Sequence, residues 1–182
     1  NIAFVQGHGE LGVQDVYDII QTLAQNYNVD TVTINGRIDA LIHRTQHEDR
    51  DVKAFASYDA IVVAKPTQAF DERDKFLIDQ YIMHGGKVLW LVEPVYATMD
   101  SLQNQESTIG IEQDLNLDDM LFKYGVRLNR DLLLDLTCAA LPIRTGQVAG
   151  QAQLEFFRWY YFPLLQAASS HPMVRNMNAI KA

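Results

Sequence analysis

The sequence predicts an α/β domain built on a mainly parallel sheet. Three observations carry this. Apolar runs of strand length recur at Ile2–Val5, Ala60–Ala64 and Val88–Val92. Helix-patterned stretches follow two of them, and glycine or proline closes most elements. Helical crossovers between apolar strands imply parallel, right-handed connections.

Taken in order, Ile2–Val5 is the first strand and Gly7-His8-Gly9-Glu10 its turn. Val13, Val16, Tyr17, Ile20, Leu23, Ala24 and Tyr27 then fall on one face of a helix. Val29–Ile34 alternates and is β-branched, hence strand two. Residues 35–57 are polar and read mostly as loop, with a short helix near Val52–Phe55. Ala60–Ala64 is a strand buried on both faces. Asp71 caps a helix, with Asp74 in a capping-box-like place, and that helix runs to about Met83 before Gly85-Gly86. Val88–Val92 is the next buried strand, ended by Glu93-Pro94. Residues 96–113 form a long excursion. Leu117, Met120, Leu121 and Tyr124 mark a short helix, and Val126–Leu128 a strand. Leu132–Leu136 fits strand or helix equally. Residues 144–153 read as a hairpin loop, Phe156–Phe162 as a dense aromatic run, and the end, around Pro172, as strand or loop. The layout is that of a three-layer, flavodoxin-like or Rossmann-like fold, akin to class I amidotransferases. It forms one soluble domain over 1–182, with a core of about 1–137 and a C-terminal extension of about 138–182.

Composition narrows the function. The 182 residues carry a formal net charge of −8, which argues against a broad phosphate-binding surface and hence against nucleic acid as a partner. Cys138 is the single cysteine, so neither an internal disulfide nor a multi-cysteine zinc site can form. It reads as a buried, inert thiol. No apolar run approaches a membrane span. The chain starts at Asn1 directly on a strand, and this reads as an excised domain whose targeting segments lie outside it.

Gly7-x-Gly9-x-x-Gly12 follows a strand and opens a helix, the position of a dinucleotide fingerprint. Against that reading, Glu10 sets a negative charge where phosphate would lie, and Asn35 stands where a ribose-binding acid is expected. Glycine's freedom in a tight turn explains the same pattern. His8, Glu10, Lys65, Thr67 and Glu93 lie at the carboxyl ends of strands, the edge where such sheets bind ligands. His8, Glu10 and Glu93 could share a proton or a metal if they converge; solvated loops are the plainer reading. Glu93-Pro94 occupies the turn where an amidotransferase-like enzyme carries its cysteine, there is no G-x-S-x-G elbow, and Asp100-Ser101 has no evident partner. Phe156, Phe157, Trp159, Tyr160, Tyr161 and Phe162 suit core packing, a protein interface or sugar stacking, with Trp159, Tyr160 and Tyr161 the candidate interface. His43 and His47 are four apart, as metal ligands on a helix would be, but sit in a polar, charged stretch. No metal or other cofactor is expected.

The order of several stretches adds a resemblance. Val5-Gln6-Gly7-His8-Gly9-Glu10-Leu11 is followed by Tyr58-Asp59-Ala60-Ile61-Val62-Val63-Ala64-Lys65-Pro66-Thr67. Then come Asp74 to Met83 with Gly85-Gly86-Lys87-Val88-Leu89-Trp90-Leu91, Asp114 to Asp119, and Tyr124-Gly125-Val126. Trp159-Tyr160-Tyr161-Phe162-Pro163-Leu164, His171-Pro172 and Asn178-Ala179-Ile180-Lys181 complete the series. In this order the chain resembles the soluble domain of GldG-type auxiliary proteins of gliding-motility ABC transporters. The same domain type is similar to one found in intraflagellar transport proteins. The resemblance implies a non-enzymatic accessory or binding module, anchored in the inner membrane by segments outside this chain and facing the periplasm. Its partners would be an ABC permease and ATPase. It carries over no catalytic residues. An amidotransferase-like hydrolase and a sugar- or peptide-binding module using the strand-edge cleft remain the alternatives. The ATPase itself is not here, since the chain has no G-x-x-x-x-G-K-[ST] loop.

Overall fold

In a computed structural model of the chain, β1 (Ile2–Gln6) lies inside a four-stranded parallel sheet with β2 (Val29–Thr33), β5 (Ala60–Ala64) and β6 (Lys87–Leu91), in the order β2-β1-β5-β6. The structure describes residues 1–46, 52–98, 107–148, 150–166, 172, 174–175 and 177–181. His47, Asp100, Ser101 and His171 lie outside them. The chain divides into two compact units, Asn1–Arg130 and Asp131–Ala182.

In the first unit each face of the sheet receives a helix. α1 (Tyr17–Ala24) follows β1, and Ile20 and Leu23 join Phe4, Val62 and Ala64 on one face. α2 (Glu72–Met83) follows β5, and Leu77, Ile78 and Tyr81 join Ala3, Val5, Ile61 and Val63 on the other. The strand alternation therefore feeds two separate cores. α2 begins as expected: the Asp74 amide donates to the Asp71 carboxylate at 2.7 Å. It ends at Gly85, whose φ of +90° needs no Cβ. α1 starts later than its apolar pattern suggests, because residues 13–16 form turns and no side chain caps Val16. β6 is an edge strand rather than a fully buried one. Val88 and Trp90 pack under α2, while Leu89 and Leu91 stay exposed.

Residues 35–57 depart from the expected loop and short helix. β3 (Ile42–Gln46) and β4 (Val52–Ala56) pair as an antiparallel hairpin in register Ile42↔Ala56 to Gln46↔Val52. His43 thus lies on a strand, not a helix. Two-residue strands β7 (Val95–Tyr96) and β8 (Ile111–Glu112) pair across the excursion, and α3 (Asp118–Lys123) buries Met120 and Leu121. Val126–Leu128 is not a strand, although Leu128 still packs on the core.

The second unit is a ribbon. β9 (Cys138–Val148) and β10 (Gln151–Leu165) pair antiparallel, and β11 (Ile180–Lys181) adds to β10. Most of 144–153 is therefore strand, not loop. Pro142 is tolerated because β9 is an edge. Cys138 is half-buried, less enclosed than its apolar neighbours imply.

Gly86 gives a test of the first unit. A Cβ there would lie 2.2 Å from the Tyr81 ring. That ring is fully buried, and its hydroxyl donates to the Tyr58 carbonyl at 2.9 Å. Gly86→Ala is expected to lower stability by roughly 1–3 kcal/mol, as overpacking does, read as a lower urea midpoint with unchanged slope.

Candidate functional site

β1 leads through α1 to β2 on one side, and β5 leads through α2 to β6 on the other, so the chain reverses direction between β1 and β5. Ligands of open α/β sheets favour that crevice. Here the two loops bordering it are joined to each other. The Leu11 amide donates to the Ala64 carbonyl at 2.9 Å, and the Thr67 and Gln68 amides both donate to the His8 carbonyl at 2.9 Å. The Thr67 hydroxyl donates to the Gly9 carbonyl at 3.0 Å.

The glycine pattern serves this closure. Gly9 has φ +71°, and a Cβ on it would sit 2.2 Å from the Thr67 hydroxyl oxygen; one on Gly7, φ +131°, would sit 2.6 Å from Asn35 Oδ1. The helix begins at Tyr17 rather than at Gly12, and the Gly12 amide already donates to the Asp15 carboxylate. The loop is occupied by its own protein, and the dinucleotide reading does not fit it.

Beneath the loop lies a buried ionic cluster. His8 Nδ1 is 3.2 Å from Glu10 Oε1, and His8 Nε2 is 3.0 Å from Asp74 Oδ2. The His8, Glu10 and Asp74 side chains are 5%, 0% and 4% exposed. The second oxygen of each carboxylate is held by the backbone: the His8 amide donates to Glu10 Oε2 at 2.7 Å, and the Gly36 amide to Asp74 Oδ1 at 2.6 Å. The Phe70 ring stacks on the imidazole, centroids 3.7 Å apart and planes 17° from parallel. Asn35 and Gly36, φ +39° and +68°, form the turn that aims the Gly36 amide.

Burial alone would push the His8 pKa down. The hydrogen bonds and charges of Glu10 and Asp74 outweigh burial and hold it above the usual imidazole range. Burial would likewise raise Glu10, but hydrogen bonds from the His8 ring and backbone, with the ring's charge, hold it below the usual carboxylate range. The ring stands between the carboxylates with both nitrogens engaged, so the three groups share no central point for a metal. Among the described residues no group of three such ligands is arranged to hold one.

Of the strand-edge residues, His8 and Glu10 meet, but Glu93 does not join them. It pairs instead with Lys65 at 2.9 Å on a more exposed rim. Lys65 itself has φ +51°. Thr67 is exposed but committed to Gly9. The acid that completes the cluster is Asp74, legible in the sequence only as a helix-start residue. Its amide behaves as in a capping box, but its carboxylate turns to His8 and Gly36. A second unforeseen group is Lys75, nearly buried, whose amine pairs with Glu72 at 2.7 Å and Asp119 at 2.8 Å and so ties α2 to α3. It lines a cavity of about 390 Å³ with Phe76, Met120 and Tyr124.

In the second unit, Arg158 pairs with Ala140 and Pro163 with Cys138, so the four residues between oppose Ala139 alone. Trp159 to Phe162 therefore bulge from the ribbon. Tyr160 and Tyr161 are 46% and 45% exposed, and Trp159 is half-buried. The Trp159 and Tyr161 rings are tilted by 52°, not coplanar, so they offer no flat platform for a sugar.

The fold resembles that of the solved mmIFT52 N-terminal domain. The two superpose with a TM-score of 0.52 at 14% identity, over 87% of this chain and 65% of that one. The chain thus spans just under two thirds of that structure, and the likeness concerns fold. Comparison with curated proteins finds no match. The family model of the ABC-type uncharacterized transport system matches residues 1–182, and the chain belongs to that family. The family points to an auxiliary component of an ABC-type transport system. Among the described residues no helix is long and apolar enough to cross a membrane.

The cluster predicts a two-sided pH dependence of stability. His8 is held above its ordinary 6.5, so its contribution is complete below that pH and lost as pH rises through the folded value. Glu10 is held below its ordinary 4.5, so its contribution is complete above that pH and lost as pH falls through the folded value. Denaturation from about pH 2 to 9 should show His8→Gln flattening the alkaline limb and Glu10→Gln the acid limb. At pH 6, Glu10→Ala should cost about 3–5 kcal/mol, as expected when a buried ion pair loses one partner.

Proposed function

We propose that this chain is a non-enzymatic accessory module of its transport system. It faces the periplasm, is anchored in the inner membrane by segments outside the chain, and works beside an ABC permease and ATPase. The observation that carries the reading is the self-occupied crevice. Its imidazole and carboxylates are turned inward and bound to one another, where a substrate could not use them for acid–base chemistry. The hydrolase alternative required His8, Glu10 and Glu93 in one cleft, and Glu93 stands elsewhere. Family membership supports the link to a transporter; the gliding-related role and the named partner subunits rest on the sequence resemblance.

The partner-facing surface in this reading is the bulged aromatic segment of β10. Tyr160 and Tyr161 leave large apolar area in water there, and such residues anchor interfaces. Co-purification of the full-length protein from native membranes, followed by mass spectrometry, tests both parts. Recovery of an ABC permease and ATPase is expected. Tyr160→Asp with Tyr161→Asp should lower that recovery about tenfold or more without changing the melting of the first unit. Recovery of the wild type without either subunit would overturn the accessory role. Undiminished recovery of the double variant would move the interface off β10.

A further inference from the structure

The donor and acceptor count at His8 carries a consequence beyond the accessory role. An ionised carboxylate only accepts hydrogen bonds, and a neutral imidazole donates only one. Yet His8 meets Glu10 Oε1 through Nδ1 and Asp74 Oδ2 through Nε2, both within hydrogen-bond distance and both out of water. With both carboxylates ionised, both contacts are satisfied together only when the ring carries two protons. Phe70 stacked against the ring favours the same state, since an aromatic face attracts a cation.

We propose that doubly protonated His8 is a latch that closes the β1–α1 loop over the switch-point crevice, and that loss of one ring proton releases it. A neutral ring turns a lone pair toward one of the two carboxylates. Either Asp74 on α2 loses its tie to the loop, or Glu10 loses its partner inside the loop. Among the described residues these two are the charged groups hydrogen-bonded to the ring. Of the neighbouring charges on α2, the Arg73 side chain lies beside Gly36, Asp71 is engaged by the Asp74 amide, and Lys75 by Glu72 and Asp119. The remaining ties of the loop are uncharged: the Leu11 amide on the Ala64 carbonyl, the Thr67 and Gln68 amides on the His8 carbonyl, the Gln6 side chain on the Leu11 carbonyl and the Thr67 hydroxyl on the Gly9 carbonyl.

Nitrogen NMR of the histidine-labelled 182-residue chain tests the protonation directly. At pH 7 the two ring nitrogens of His8 should have similar, imidazolium-type shifts. They should split as pH rises, and over the same range the protection of the Glu10 and Leu11 amides should fall about tenfold while that of Ile61 and Val63 holds. Asp74→Asn keeps a hydrogen-bonding group but removes one carboxylate charge, and should move the His8 titration to lower pH. Split nitrogen shifts at pH 7 would overturn the proposal. So would loop protection that stays constant through the titration, or an Asp74→Asn variant whose His8 titrates where the wild type does.

Discussion

A buried imidazole held between two buried carboxylates is the constraint on which the first unit depends. It joins three places that are far apart in sequence: the loop after β1, the first turn of α2, and the Asn35-Gly36 turn after β2. Charged groups withdrawn from water are tolerable only when each is paired and its remaining lone pairs are filled. Here they are filled by the His8 and Gly36 amides. Such an assembly adds modest net stability compared with apolar packing. Its stronger effect is on alternatives, because any shift of the loop or of α2 leaves a buried charge alone. The two hydrophobic cores supply the attraction that holds the sheet and helices together; the cluster fixes how the loop and helix end meet above it.

The second unit is organised on the opposite principle. A ribbon that is mostly two-stranded has two faces and, among the described residues of its own unit, no helix to cover them, and an isolated hairpin is marginal in water. Almost every residue of β10 before Phe162 is exposed. What order the ribbon has comes from local devices: β11 paired at Leu164 and Leu165, the Lys181 amine 4.3 Å from the Phe162 ring centroid, and the Asp135 amide on the Tyr160 carbonyl. Large apolar side chains also stand in water on the first unit, Phe76, Met83 and Phe122 among them, so what sets the ribbon apart is its lack, among the described residues, of a buried polar cluster and of a packed core rather than exposure alone.

The parts legible in the sequence are those with one dominant local signal. β1, β5 and α2 stood out because continuous apolar runs, an Asp cap and a Gly terminator all agree. β3 was missed because His43-Arg44-Thr45-Gln46 carries no apolar alternation, its strand character coming from pairing with β4. Much of β9 was missed because the Gly- and Gln-rich residues 144–153 read as a hairpin loop, although an edge strand tolerates glycine. At the site, His8 and Glu10 were visible because they are two residues apart on a strand-end loop. Asp74 was not, since it lies 66 residues from His8 and its position at a helix start already had a sufficient local explanation. Glu93 was grouped with His8 because it also ends a strand, but strand-end position fixes only the edge of the sheet. Lys65 beside it supplies the nearer opposite charge.

The glycine-rich loop shows why a pattern of this kind underdetermines function. Positive φ and a missing Cβ let a backbone come close to something, and nothing in those properties says whether it is a pyrophosphate or a threonine. What decides is the charge next to the glycines. Glu10, placed where a phosphate would lie, had to be neutralised or turned inward. Turning it inward required a cation beneath the loop, which His8 supplies, and a second carboxylate on α2 fixes the other side of that ring. Once the three groups are buried together, the loop is drawn onto the end of β5 and Thr67 takes the space beside Gly9. One inward-facing acid is thus enough to account for a closed crevice rather than an open, anion-accepting one on the same scaffold of strands and crossover helices.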